Sequence, residues 1–443
     1  MKQSKVVMLY GEGGDEITEE IKIMLAIGIM FLMILSFAVQ WIPASVTAVL
    51  AAMGMVFCGF LSPAELAASF GADAVIMVAG MMIVGNAVFE TGLAERIGCA
   101  VLGLKFVVKT EKRFLAAILL MVGFLSAFMS NTASVAIFIP LVSSVAHASK
   151  GRIQKKNIFM AMGIISVLGG NCTLAGSTPQ LIAQGILEDT PGLRPLTFFQ
   201  LAYIGIPLVV LTVLYYATLG YKLQERCFDF EERAETEGKT APEHDSTRRK
   251  QNCTALILLG CVIGFVAGWL SLGVTALAGG VLCILTGCIS YRRAFEMMDW
   301  STIVILAGAL GFSKGLDHSG AVDYMAQGIL RILGGEAANP VLLCAVLLIL
   351  SSFLGNVMSH TATVAVLMPI AISIAGVVGV SPTAYVVAII IGSSLAFATP
   401  IATPPLTMTL VGGYRFADYT KVGGALNIIL LAAAILLVPT IYM

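Results

Sequence analysis

Two polar triplets interrupt long apolar stretches: Ser130-Asn131-Thr132 and Ser359-His360-Thr361. Each leads straight into an apolar run, Ala133 to Val145 in one case and Ala362 to Ile374 in the other. Hydroxyl and amide side chains are strong helix N-caps, so each triplet reads as the start of a helix. Two further motifs, Ser177-Thr178-Pro179 and Thr403-Pro404-Pro405, set a hydroxyl just before proline, which favours the first helical position. A helix start exposes unpaired N–H groups and the positive end of the helix dipole, about half a charge. Four such ends converging would hold a dianion without any Arg or Lys. The preceding helices end at the same places and leave free carbonyls. Carbonyl, hydroxyl and amide oxygens together suit a hard cation such as Na⁺.

Ser and Thr in apolar helices also bond back to their own helix, and proline is common there. The pairing of these motifs favours a site. Phe124-LSAFMSNTASVAIFI-Pro140 and Phe353-LGNVMSHTATVAVLM-Pro369 lie 229 residues apart and agree at nine of seventeen positions. In a composition this biased, about one position in ten matches by chance. A second pair follows at an offset of 226, with Thr173, Ser177 and Pro179 against Thr399, Thr403 and Pro405. His360, inside a repeated triplet, is read as a site residue. Asp317 and His318 close an apolar span and read as interfacial, and the nine cysteines read as small apolar residues.

The elements that must position these motifs follow from composition. Of the 443 residues, 58% are hydrophobic and 12% charged, against roughly 25% charged in a soluble domain. Formal net charge is zero, which gives no reason to expect nucleic acid. Apolar spans are expected near 21–40, 44–61, 74–90, 92–107, 158–175, 200–220, 254–270, 272–290, 302–318, 383–400 and 425–442. The two segments carrying the triplets, 114–149 and 340–376, are expected to be re-entrant hairpins. Residues 1–20 read as a cytoplasmic tail, 21–220 as a first half, 221–253 as a cytoplasmic linker and 254–443 as a second half. Broken helices are expected around 173–181 and 399–407.

Cytoplasmic loops collect Lys and Arg. Lys105, Lys109, Lys112 and Arg113 precede the first hairpin, and Lys150, Arg152, Lys155 and Lys156 follow it. Both its ends are therefore placed inside, with a cytoplasmic N-terminus, and the second hairpin opens outward. Matching halves in opposite orientation form an inverted-topology repeat, a feature of transporters. The fold class expected is an all-α membrane protein with about 11 transmembrane helices and two re-entrant hairpins.

The S-N-T tip, followed by L-A-G-S-T-P-Q in the first half and A-T-P-P-L in the second, resembles the divalent anion/sodium symporter family. The likeness spans residues from about 40 to 443 and implies a homodimeric elevator in the plasma membrane carrying dicarboxylates, tricarboxylates or sulfate. It assigns one sodium to Ser126, Ser130, Asn131 and Gly176, and a second to the backbone oxygens of Gly355, Met358 and Ala402 together with the His360 position. It gives the substrate Ser130, Asn131, Thr132, Ser359, His360, Thr361 and Thr403. No other cofactor is implied. Three departures stand out: His360 and Gln180 where the family has Asn, with Leu406 matching Gln180 in the second half, and Thr178 in place of a proline. The expected function is symport of a small divalent anion with Na⁺. Proton coupling, exchange, and sulfate or another oxyanion are the alternatives. A channel would lack saturable uptake, and an intramembrane enzyme would need a metal or nucleophile motif that the sequence does not contain.

Overall fold

The computed structural model describes residues 15–39, 41–102, 106–149, 151–228, 230, 248–333, 335, 339–400 and 402–443. All regular structure among them is helical. The first half supplies α1 (Asp15–Val39), α2 (Ala44–Phe57), α3 (Pro63–Phe70), α4 (Asp73–Glu90), α5 (Leu93–Leu102), α6 (Glu111–Ser126), α7 (Asn131–Ala148), α8 (Phe159–Gly170), α9 (Thr178–Asp189), α10 (Ala202–Ala217) and α11 (Leu219–Cys227). The second supplies α12 (Arg248–Ala267), α13 (Leu272–Leu285), α14 (Tyr291–Glu296), α15 (Trp300–His318), α16 (Ala321–Leu333), α17 (Pro340–Val357), α18 (His360–Val378), α19 (Thr383–Ser394), α20 (Pro404–Met408), the single turn α21 (Phe416–Asp418) and α22 (Gly424–Tyr442).

Residues 15–20 of the expected tail belong to α1, and 1–14 lie outside the described residues. Of the expected linker, 231–247 lie outside the described residues and 248–253 open α12. Among the described residues, seven helical stretches are long and apolar enough to cross a membrane, or eight if α10 and α11 are one span bent by 53°. The helices α2, α13 and α19 are apolar but have only 14, 14 and 12 residues. The expected spans leave out α16, whose apolar residues are confined to one face: Ala321, Val322, Ala326 and Leu330 are buried while Asp323 and Arg331 are not. Elsewhere leucine and isoleucine face outward, with Leu285, Ile428 and Leu436 at least 70% exposed. Such a surface suits hydrocarbon rather than water.

The halves share one plan. Ala44 and Leu272, Asp73 and Trp300, Glu111 and Pro340, and Asn131 and His360 start helices at offsets of 227 to 229 residues. The packing recurs with the halves exchanged: α4 lies on α13, and α15 lies on α2. A Cβ on Gly80 would fall 2.4 Å from the Ala276 carbonyl carbon, and one on Gly308 would fall 2.8 Å from the Ala48 carbonyl carbon. Gly80 and Gly308 are 228 residues apart, as are Ala48 and Ala276. Backbones approach this closely only where one of them carries no side chain. The elements bearing the motifs repeat in the same way. α6 packs on α8 as α17 does on α19, and α7 on α20 as α18 does on α9.

Candidate functional site

All four motifs start helices. Ser130 Oγ accepts from Ala133 N at 3.2 Å at the head of α7, and Ser359 Oγ accepts from Ala362 N at 3.3 Å at the head of α18. Ser134 Oγ donates to Ser130 O at 3.2 Å, and Thr363 Oγ1 to Ser359 O at 3.1 Å. Ser177 and Thr403 stand in extended backbone at the N-cap positions of α9 and α20, and their side chains make no cap bond. The turn before each triplet is tied to the broken segment of its own half. Thr173 Oγ1 donates to Ala127 O, and its counterpart Thr399 Oγ1 donates to Asn356 O at 3.3 Å. The four ends are not equal, however. After five residues α20 tightens into Thr409–Gly412. So short a helix sums few peptide dipoles, and Thr403 contributes its hydroxyl rather than a dipole end.

In the first half, oxygens converge on Asn131. Its carboxamide lies 2.6 Å from Ser126 Oγ, 3.0 Å from Ser166 O and 3.1 Å from Gly176 O. With the amide nitrogen turned inward, it donates to all three. With the amide oxygen turned inward, it accepts from Ser126 Oγ and faces the Ser166 and Gly176 carbonyls, an arrangement that a cation would make favourable. The cluster is held by backbone touching backbone. A Cβ on Gly176 would lie 2.3 Å from Gly170 O, and one on Gly170 would lie 2.4 Å from Asn131 Oδ1. Ser126 and Gly176 are buried, Asn131 is partly exposed, and Thr132 beside it is also partly exposed.

The second half repeats the frame without the two side-chain oxygens. Gly355 stands where Ser126 stands, and its missing Cβ would lie 2.5 Å from Ser393 O. His360 stands where Asn131 stands, is 4% exposed, and has no hydrogen-bond partner at Nε2 among the described residues. Thr403 Oγ1 is likewise buried and without a partner among the described residues. Met358 and Ala402 are buried, Ser359 and Thr361 partly so. Among the described residues, no side-chain hydrogen bond joins His360 to Gly355, Met358 or Ala402. A recess of about 430 Å³ reaches Ser359 from the turn between α1 and α2, lined by Ser36, Phe37, Trp41, Ile42 and Pro43.

The sequence did not reveal everything that shapes this region. Asn171 Oδ1 accepts from Gln180 Nε2 at 2.8 Å and from Ser394 Oγ at 3.0 Å, which joins α8, α9 and α19 across the two halves. Gln180 Nε2 also reaches Gly170 O at 3.3 Å. Gln180 was conspicuous in the sequence only as a departure, and here it braces the broken segment beneath the Asn131 cluster. Lys314 on α15 pairs with Asp189 at the end of α9 at 2.9 Å.

A helical membrane protein with paired, capped breaks around a cluster of oxygens has the make-up of a secondary transporter. The comparisons with known proteins agree. The sequence profile of the citrate transporter family matches residues 29–389 and 262–443, and the chain belongs to that family, within the divalent anion/sodium symporter group that its motifs resemble. Its members are transporters, not enzymes. The uncharacterized transporter YfbS of Escherichia coli is 22% identical over 92% of this chain and 97% of its own. The sodium-dependent dicarboxylate transporter SdcS of Staphylococcus saprophyticus is 22% identical over 90% of this chain and 82% of its own. Among solved structures, the antimetabolite efflux pump MtrF of Neisseria gonorrhoeae aligns over 95% of both chains with a TM-score of 0.61 at 14% identity, a likeness of fold.

Proposed function

We propose that this transporter carries a small divalent anion, a dicarboxylate, across the plasma membrane in symport with Na⁺. The observation that carries the reading is the Asn131 cluster, where Ser126 Oγ, Ser166 O and Gly176 O surround a side-chain amide whose own oxygen can complete the set. Na⁺ there would lie at the head of α7 and fix Ser130, Asn131 and Thr132 around the anion. The anion would gain N–H donors from the heads of α7, α18 and α9. The Thr403 hydroxyl and His360 Nε2, buried without protein partners among the described residues, would supply two more. The sodium-dependent dicarboxylate transporter among the relatives supports both the ion and the substrate class.

The exchanged packing of α2, α4, α13 and α15 supports an inverted-topology repeat, with α6–α7 and α17–α18 as its two hairpins. The basic residues on both flanks of the first hairpin support a cytoplasmic N-terminus. In such a repeat, access alternates when one bundle rocks or rides against the other around a fixed site. An elevator movement of a homodimer is the form the family resemblance supports. Counterflow of labelled succinate, citrate and sulfate in proteoliposomes, with and without Na⁺, tests the function. Saturable succinate counterflow that needs Na⁺ is expected. Counterflow indifferent to Na⁺, or conductance that does not saturate, would count against it.

A further inference from the structure

We propose that this chain binds one Na⁺ rather than two: the first half keeps an oxygen cage, and the second half has given its cage up. The inference rests on the Na⁺-coupled reading above and deepens it. The two halves are equivalent in helix order, in caps and in the threonine bonds that tie each turn to its broken segment. They can therefore be compared atom for atom. Around Asn131 stand Ser126 Oγ, Ser166 O and Gly176 O. The corresponding positions in the second half are Gly355, Ser393 and Ala402, with His360 in place of Asn131.

Both side-chain oxygens are gone. Na⁺ is a hard cation that prefers oxygen, whereas imidazole suits Zn, Cu, Fe and Ni. Nor can a side-chain oxygen be put back at Gly355. Ser126 has room for a side chain, but a Cβ on Gly355 would lie 2.5 Å from Ser393 O, a main-chain atom with no rotamer to turn aside. The second half also breaks later, since α6 stops at Ser126 while α17 runs on to Val357, two residues past Gly355. Besides main-chain oxygens, what remains is a buried ring nitrogen and a buried hydroxyl without protein partners among the described residues. These are suited to an anion, not to a cation.

Na⁺ binding to the purified protein tests the count whatever the anion is. Protein prepared in choline chloride is titrated with NaCl while its thermal unfolding is followed, since a ligand that binds only the folded state raises the midpoint. At high Na⁺ the stabilisation is expected to rise with the logarithm of concentration, with the slope of a single bound ion. The shift is expected to vanish in Asn131→Ala and to persist in His360→Ala. A shift lost in His360→Ala, or a parent titration with twice that slope, would overturn the single-site inference and leave Na⁺ coupling standing. A parent with no Na⁺-dependent shift at all would remove Na⁺ coupling itself. Should His360→Ala fail to fold, the parent's ratio of labelled Na⁺ to labelled anion uptake decides: about one is expected, and two overturns the proposal.

Discussion

Alanine in place of Gly176 probes the cage through its backbone. The new Cβ would stand 2.3 Å from Gly170 O and 2.6 Å from Gly170 Cα, about 1 Å inside ordinary van der Waals contact. Both atoms are main chain, so no rotamer relieves the clash and the broken segment has to move. Forcing an extra carbon into a packed site costs about 1–3 kcal/mol. The moved segment carries Gly176 O, which is 3.1 Å from the Asn131 amide, so the cost falls on the cation cluster. If all of it opposes Na⁺ binding, half-saturation by Na⁺ rises roughly 5- to 150-fold. The assay is Na⁺-dependent uptake in proteoliposomes beside Na⁺-dependent thermal unfolding in detergent. Gly376→Ala is the control: it lies within α18, and its Cβ would meet nothing within 4 Å. There alanine should stabilise the helix by about 0.5–1 kcal/mol and leave the Na⁺ response alone. A folded Gly176→Ala protein with Na⁺ half-saturation within about twofold of the parent, a difference below about 0.5 kcal/mol, would refute the placement of the cation.

Further outcomes follow from the same geometry. Asn131→Ala should abolish Na⁺-stimulated uptake while the protein remains folded, and unchanged Na⁺ dependence would speak against the cluster. Thr403→Val removes a hydroxyl with no protein partner among the described residues. Stability should therefore change by no more than about 0.5 kcal/mol, while half-saturation by the anion rises about tenfold or more. Gly80→Ala and Gly308→Ala each press a carbon onto the facing helix backbone. Each should lower stability by about 1–3 kcal/mol, read as the unfolding midpoint, with similar losses in the two halves. Lys314→Met breaks a partly exposed ion pair with Asp189 and should cost less than about 1 kcal/mol. A larger loss would mean that the pair is shielded from solvent.

The local chemistry of the site was legible in the sequence because helix starts are local events. A serine two or three residues ahead of an N–H that needs an acceptor can be read without any fold, and Ser130 and Ser359 do cap α7 and α18. The partners of Asn131 were only partly legible. Ser126 and Gly176 came from the resemblance, whereas Ser166 contributes a main-chain carbonyl, and any residue type has one of those. The brace from Gln180 to Asn171 and Ser394 depends on α8 and α19 meeting, which no spacing within either helix reveals. The helix α16 escaped notice because Asp323, Gln327 and Arg331 cut its apolar residues into runs too short to read as a span. The unequal helix heads also lay beyond the sequence. Pro404 and Pro405 start α20 much as Pro179 starts α9, but how soon a helix ends depends on what it runs into.

The exchanged contacts of Gly80 and Gly308 bear on how the chain is made. The surface of α2 that receives α15 has no partner until some 240 further residues have been synthesised. At a synthesis rate of about 5–20 residues per second, that delay is roughly 10–50 s. Throughout it, the first half sits in the bilayer with a stripe meant for close backbone contact turned toward lipid. Two such half-built chains would each offer the other the partner it lacks, so assembly at the ribosome must favour completion in cis over pairing in trans. The same exchange suggests an origin for the long chain. A half-length ancestor would have satisfied Gly80 and its facing helix only as a pair, and joining two copies end to end would have made that pairing intramolecular.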